Sequence, residues 1–203
     1  MSTIAVVKKN GVVAIAADTL TSFGTRKVSA AHNRQPSKIL RLGASVVGFT
    51  GWSVHMQVLE RIFRAMSEPP KLSSVSDIFE VLLALHPRLK QEYFLVPRGD
   101  DGDAYEASHL NLVIANAHGI FGAYSMRDVI EYERFWASGS GSSYALGAMQ
   151  ALYDGPHEAL SIAEAAVKAA IEFDDSTGGP VESYVVSPAA SRAAEDLDLL
   201  LKV

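Results

Sequence analysis

Apolar and polar positions alternate in two rhythms along this chain. Ile4–Val7 and Val12–Ala17 are short apolar runs separated by Lys8-Lys9-Asn10-Gly11. Asn-Gly between two such runs is a hairpin signal, because both residues accept positive φ. Thr19–Arg34 is polar, is interrupted by Gly24, and reads as an extended loop or short strands. Lys38–Leu42 and Ser45–Phe49 form a second strand pair around Gly43-Ala44.

The period then lengthens to that of a helix. Leu59, Ile62, Phe63 and Met66 fall on one face, with Pro69-Pro70 as the stop. Ile78, Leu82, Leu85 and Leu89 repeat the spacing in a second helix, which His86-Pro87 is expected to kink. Arg98–Glu106 reads as a solvated turn. Asn111–Ala115 and Ile120–Tyr124 make a hairpin around Asn116–Gly119, and Phe135–Ser138 reads as a strand. Ser142–Leu152 and Ile162–Phe173 are Ala-rich helices, the latter with Ser161 as its expected cap. Glu182–Val186 is a last strand, and Ala189–Leu201 a short terminal helix. The order is strands, two helices, strands, two helices, strand. Two antiparallel sheets stacked face to face, with a helix pair outside each, bury all of these apolar faces. The expected fold is α+β, a four-layer αββα sandwich forming a single domain over residues 1–203.

Composition narrows the chemistry. The chain has 203 residues, 48 % of them hydrophobic, and a net charge of −5 with no cysteine. Disulfides, thiolate metal sites and cysteine nucleophiles are excluded. The acidic balance argues against a nucleic-acid partner. No apolar run reaches about 18 residues, so no membrane span is expected. The start lacks the basic and apolar regions of a secretory signal, which points to a cytoplasmic protein. No phosphate-binding loop occurs, and the six histidines show no i, i+4 pair. Gly139-Ser140-Gly141-Ser142 lacks the register of a hydrolase elbow and reads as a strand-to-helix turn.

The N-terminus is more informative. Removal of Met1 leaves Ser2 with a free α-amine beside its hydroxyl, and a hydroxyl nucleophile can use its own α-amine as general base. That amine has a reference pKa of about 7.7–8.0, and a nearby ammonium lowers it further. Met-Ser at a start is common, so the reading needs further support.

Five ordered blocks supply it: Ser2–Asp18, Ser37–Leu42, Gly48–Gly51, Gly139–Gly147 and Asp174–Gly179. Together they resemble the proteasome β-type subunits and the bacterial HslV protease, closest to the betaproteobacterial proteasome homologue group. The resemblance implies an N-terminal-nucleophile hydrolase fold. It aligns Ser2 with the nucleophile, usually threonine, and Lys38 with the active-site lysine, oriented by Asp18. Gly51 falls on the oxyanion-hole glycine and Ser140 on the serine that bonds the α-amine. Asp174 and Thr177 match the supporting aspartate and serine.

The resemblance further implies a self-compartmentalising peptidase that cleaves unfolded polypeptides or peptides and needs no metal or organic cofactor. Its expected assembly is a homo-oligomer of two stacked rings, six or seven subunits each with seven favoured. An ATP-dependent unfoldase is implied by analogy with HslV. The alternatives are a non-catalytic scaffold subunit and a small-metabolite amidase of the same fold. Three departures stand out. Serine replaces threonine, which removes the methyl that restricts χ1. Trp52 stands where the family often has a second glycine, and either narrows the cleft or caps the next helix. About four extra residues fall within Thr21–Gln35, where the family has a loop near the ring pore.

Overall fold

A computed structural model of the chain describes residues 2–97 and 103–186. The first hairpin pairs β1 (Thr3–Lys9) with β2 (Val12–Ala17), and Asn10 and Gly11 carry the positive φ of its turn. Thr21–Phe23 (β3) and Arg26–Val28 (β4) make a separate two-stranded hairpin, so Thr19–Arg34 contains short strands. β5 (Ile39–Leu42) and β6 (Ser45–Thr50) follow, then helices α1 (Ser53–Arg64) and α2 (Val75–Glu92). β7 (Asn111–Ala115), β8 (Ile120–Ala123), β9 (Val129–Tyr132) and β10 (Phe135–Gly139) complete the middle of the chain. Helices α3 (Ser142–Leu152) and α4 (Ala159–Phe173) and strand β11 (Glu182–Val186) close it.

The strands form an antiparallel four-stranded sheet, β10-β1-β2-β11, and an antiparallel five-stranded sheet, β5-β6-β7-β8-β9. Strand alternation explains the layering. On β1 and β2, Ile4, Val6 and Ile15 point toward the second sheet and pack with Ile39, Val46, Val113 and Ile120. Their neighbours Ala5, Val7, Ala14 and Ala16 face the other way, against Met149, Ile162, Ala166 and Val167 of α3 and α4. Small residues on the helix side admit close helix–sheet packing, while larger ones fill the space between sheets. Leu59, Ile62, Ile78, Leu82 and Leu85 of α1 and α2 cover the outer face of the five-stranded sheet. The result is a four-layer αββα sandwich, as expected from the sequence.

Several expectations change in detail. α1 ends at Arg64, before Met66, which is exposed. α2 continues through Pro87, whose missing N–H falls on the solvent side with exposed Leu83 four residues earlier. A lost helical bond is least costly where water replaces it. β9 was not foreseen. It is a short edge strand whose Ile130 and Glu131 face solvent, so it lacks an alternating apolar pattern. α4 starts at Ala159 after Glu158, which places Ser161 inside the helix rather than at its cap. Buried Ala159 already faces α4's packing partners, so the helix begins as soon as its apolar stripe does. The expected helix at Ala189–Leu201 and part of the Arg98–Glu106 turn lie outside the described residues.

Candidate active site

The site forms at one end of the four-stranded sheet, where β1 begins, β2 ends and β10 ends. Register sets this: Thr3 lies opposite Gly139, and Ile4 opposite Ala17. Ser2, Asp18 and Ser140, one residue beyond these pairs, therefore gather together. The Ser2 carbonyl accepts the Ser140 N–H at 2.9 Å. Gly139 permits this approach: its φ is +104°, and a Cβ there would stand 1.8 Å from the Ser2 carbonyl oxygen. Gly139→Ala is expected to destabilise the fold by about 1–3 kcal/mol from backbone strain alone, with the overlap adding to it. Chemical denaturation of the variant checks this; wild-type stability would contradict the placement of Ser2.

Asp18 has no exposed surface, and its carboxylate accepts four bonds. Oδ1 takes the Thr3 N–H at 2.8 Å and the Lys38 ammonium at 2.7 Å. Oδ2 takes the Gly178 N–H at 3.0 Å and the Leu20 N–H at 3.2 Å. The carboxylate's acceptor capacity is filled, so the ion pair has one geometry. Burial pushes the Lys38 ammonium down from its ordinary 10.5, and the opposing pull of Asp18 does not cancel it. Lys38 immediately precedes β5, so the second sheet delivers the cation to a carboxylate on the first.

On the other side lies a chain of hydroxyls. Asp174 Oδ2 accepts from Ser140 Oγ at 2.7 Å and from Thr177 Oγ1 in a short bond. Burial opposes the Asp174 charge most strongly, but donation from Thr177, Ser140 and the Ser176 backbone outweighs it and holds the carboxyl below its usual range. Thr177 gives its proton to Asp174, so its oxygen receives the Thr3 hydroxyl proton across 2.6 Å. The Thr3 oxygen in turn accepts the Gly141 N–H at 3.1 Å. Proton order along Gly141, Thr3, Thr177 and Asp174 thus follows from donor counting.

Ser2, Asp18, Lys38, Ser140, Asp174 and Thr177 belong to one connected network. No bond ties Gly51 itself to that network among the described residues; its neighbour Thr50 meets Ser138 Oγ through Oγ1 at 3.0 Å, which holds the end of β6 to β10 just before Gly139. Gly51 is exposed with φ +107° and open space where a Cβ would stand, so backbone conformation rather than crowding calls for glycine. Trp52 occupies the N-cap position of α1 without a side-chain capping bond and is 78 % exposed, which removes the capping reading. Thr3 was missed as a site residue. It links Asp18 through its N–H to Thr177 through its hydroxyl, but at the head of an apolar strand a threonine reads only as β-propensity.

A family model described as proteasome subunit matches residues 1–186. The chain belongs to the proteasome family. BPH of Thiobacillus denitrificans in complex with epoxomicin is 44 % identical, with a TM-score of 0.85 over 91 % of this chain and 98 % of that one. A second structure of Thiobacillus denitrificans BPH gives a TM-score of 0.86 at 44 % identity, covering 91 % of this chain and 97 % of that one. Eukaryotic HslV from Trypanosoma brucei is 20 % identical, with a TM-score of 0.64 over 91 % and 99 %, a likeness of fold. No curated protein matches the chain. Proteasome and HslV proteins are proteases whose members form ring oligomers, and this chain has their β-type, HslV-like character.

Proposed function

We propose that this proteasome-family chain is a peptidase whose nucleophile is Ser2 Oγ and whose general base is the Ser2 α-amine, once Met1 is removed. The observation that supports the reading is the backbone position of Ser2: its carbonyl accepts the N–H of Ser140, whose hydroxyl bonds Asp174, and its neighbour Thr3 bonds the buried Asp18 that pairs with Lys38. The α-amine takes the Oγ proton as Oγ attacks the scissile carbonyl carbon. The resulting oxyanion accepts the Gly51 N–H, a kind of donor worth about 3–4 kcal/mol in the transition state. Collapse breaks the C–N bond, and the α-ammonium returns its proton to the departing amine. Water, deprotonated by the same amine, then attacks the ester; Oγ leaves and recovers a proton. Lys38 favours both the neutral amine and the developing negative charge on Oγ. Asp174 and Ser140 position the terminus, and Thr3 and Thr177 hold Asp174.

The working assembly in this reading is a homo-oligomeric double ring, seven subunits per ring favoured, that admits unfolded polypeptides or peptides. Electron microscopy of the purified protein tests it, and an isolated monomer would overturn it.

The pH dependence has two signs. Peptidase kcat/KM rises as the α-amine loses its proton and falls as Lys38 loses its own, below the 10.5 of a free lysine. A profile still rising at 10.5 would contradict the role of Lys38. For stability, the depressed Asp174 carboxyl contributes above its ordinary 3.8 and loses that contribution as pH falls through its lower folded value. Asp174→Asn is expected to flatten the acid loss of melting temperature, as thermal denaturation across pH will read.

A further inference from the structure

We propose that the basic hairpin rising from the catalytic centre, carrying Arg26, Lys27 and Arg34, recruits acidic polypeptide segments to Ser2. The inference rests on the peptidase reading and adds a substrate class to it.

Charge is unevenly placed along the chain. Residues 19–59 contain Arg26, Lys27, Arg34, Lys38 and Arg41 and no acid, while the whole chain has a net charge of −5. Lys38 is taken by Asp18, and the Arg41 guanidinium lies over the Tyr184 ring. Arg26, Lys27 and Arg34 are all exposed, and none forms an ion pair among the described residues. Elsewhere six of the ten described Lys and Arg residues, Arg64, Lys71, Arg88, Lys90, Arg134 and Lys168, face a carboxylate. Lys9 and Arg127 bond backbone carbonyls, and unpaired cations are not clustered there as they are in this segment. A protein with excess acid has thus left three cations of this one segment without a partner.

The segment is anchored at both feet in the candidate site. Leu20 N–H bonds Asp18, Thr19 and Leu20 both bond the Gly178 carbonyl, and Lys38 at the far end pairs with Asp18. Asn33 Nδ2 donates to Thr21 Oγ1 at 3.3 Å, which brings Arg34 back to the base of the hairpin. Arg26 and Lys27 lie opposite Phe23 and Ser22, three residues from that base. Three strand residues span about 10 Å. The Debye length at physiological salt is about 8 Å, so these charges act on the stretch of a chain that runs along the hairpin rather than on the residue at Ser2, and most strongly at low salt. Phe23, 64 % exposed and paired with Arg26, adds an apolar surface beside the guanidinium. Such a surface fits an extended segment rich in Asp and Glu.

The test separates recruitment from cleavage. Binding of a fluorescent decapeptide with four Glu, and of one with four Lys instead, is measured by anisotropy on assembled Ser2→Ala protein. The acidic peptide is expected to bind about tenfold tighter at low salt. Arg26→Gln/Lys27→Gln/Arg34→Gln, or about 0.5 M salt, abolishes that preference. Equal binding of the two peptides, or a preference that survives the triple substitution, would overturn the proposal. So would a triple variant that no longer assembles, since the hairpin would then be a subunit contact. If the preference holds but protein retaining Ser2 never cleaves the acidic peptide, recruitment stands and the peptidase reading fails.

Discussion

Ser2→Ala protein, processed and assembled, is expected to lose peptide hydrolysis by at least about 10⁴-fold while keeping its fold. The substitution removes the attacking oxygen and little else. The contact that fixes the position of Ser2, its carbonyl on the Ser140 N–H, belongs to the backbone and survives. Ser2 is buried, so loss of its hydroxyl should cost no more than about 1 kcal/mol of stability. Cleavage of a fluorogenic peptide and the denaturation midpoint are the two readings. Activity retained by the alanine protein would remove Ser2 from the mechanism; lost activity with lost folding would leave Ser2 a structural residue.

Lys38→Ala should show both effects at once. A lone lysine near a strand reads as a removable surface charge, but here it is the counterion of an aspartate with no exposed surface. Its loss leaves Asp18 with three backbone donors and no opposing charge. Breaking a buried pair from one side costs about 3–5 kcal/mol. Turnover should fall by about 10³-fold, because neither the amine nor the developing alkoxide then faces a cation. Lys38→Met retains much of the aliphatic packing and separates the two losses: part of the stability returns and the activity does not. An alanine variant with parental turnover would contradict the assigned role, and one with parental stability would contradict the burial of the pair.

How much of this was readable beforehand depended on the range of each interaction. The first hairpin was legible because Asn10-Gly11 separates two apolar runs, a signal within a few residues. α3 was legible in the same local way, at Ser142–Leu152. β9 was not, because an edge strand with Ile130 and Glu131 toward solvent carries no core-facing pattern. Nor was the length of α4, since Ser161 looks like a cap unless Ala159 is known to be buried.

At the site, residue types alone could not bring Lys38 to Asp18, twenty positions away and delivered from the opposite sheet. That pairing was implied by the ordered family blocks, not by local spacing. Thr3 escaped both routes. Its importance lies in two bonds, to Asp18 across the hairpin and to Thr177 near the other end of the chain, neither of which leaves a local trace.

The central claim is that Ser2 acts through its own liberated amine and alcohol together, and a peptide epoxyketone tests both atoms in one reaction. The wild-type protein treated with epoxomicin should yield a tryptic peptide Ser2–Lys8, lacking Met1, that carries one intact inhibitor bonded to both Oγ and the α-nitrogen. An adduct on any other residue, or an unmodified Ser2 with a free amine under saturating inhibitor, would contradict it.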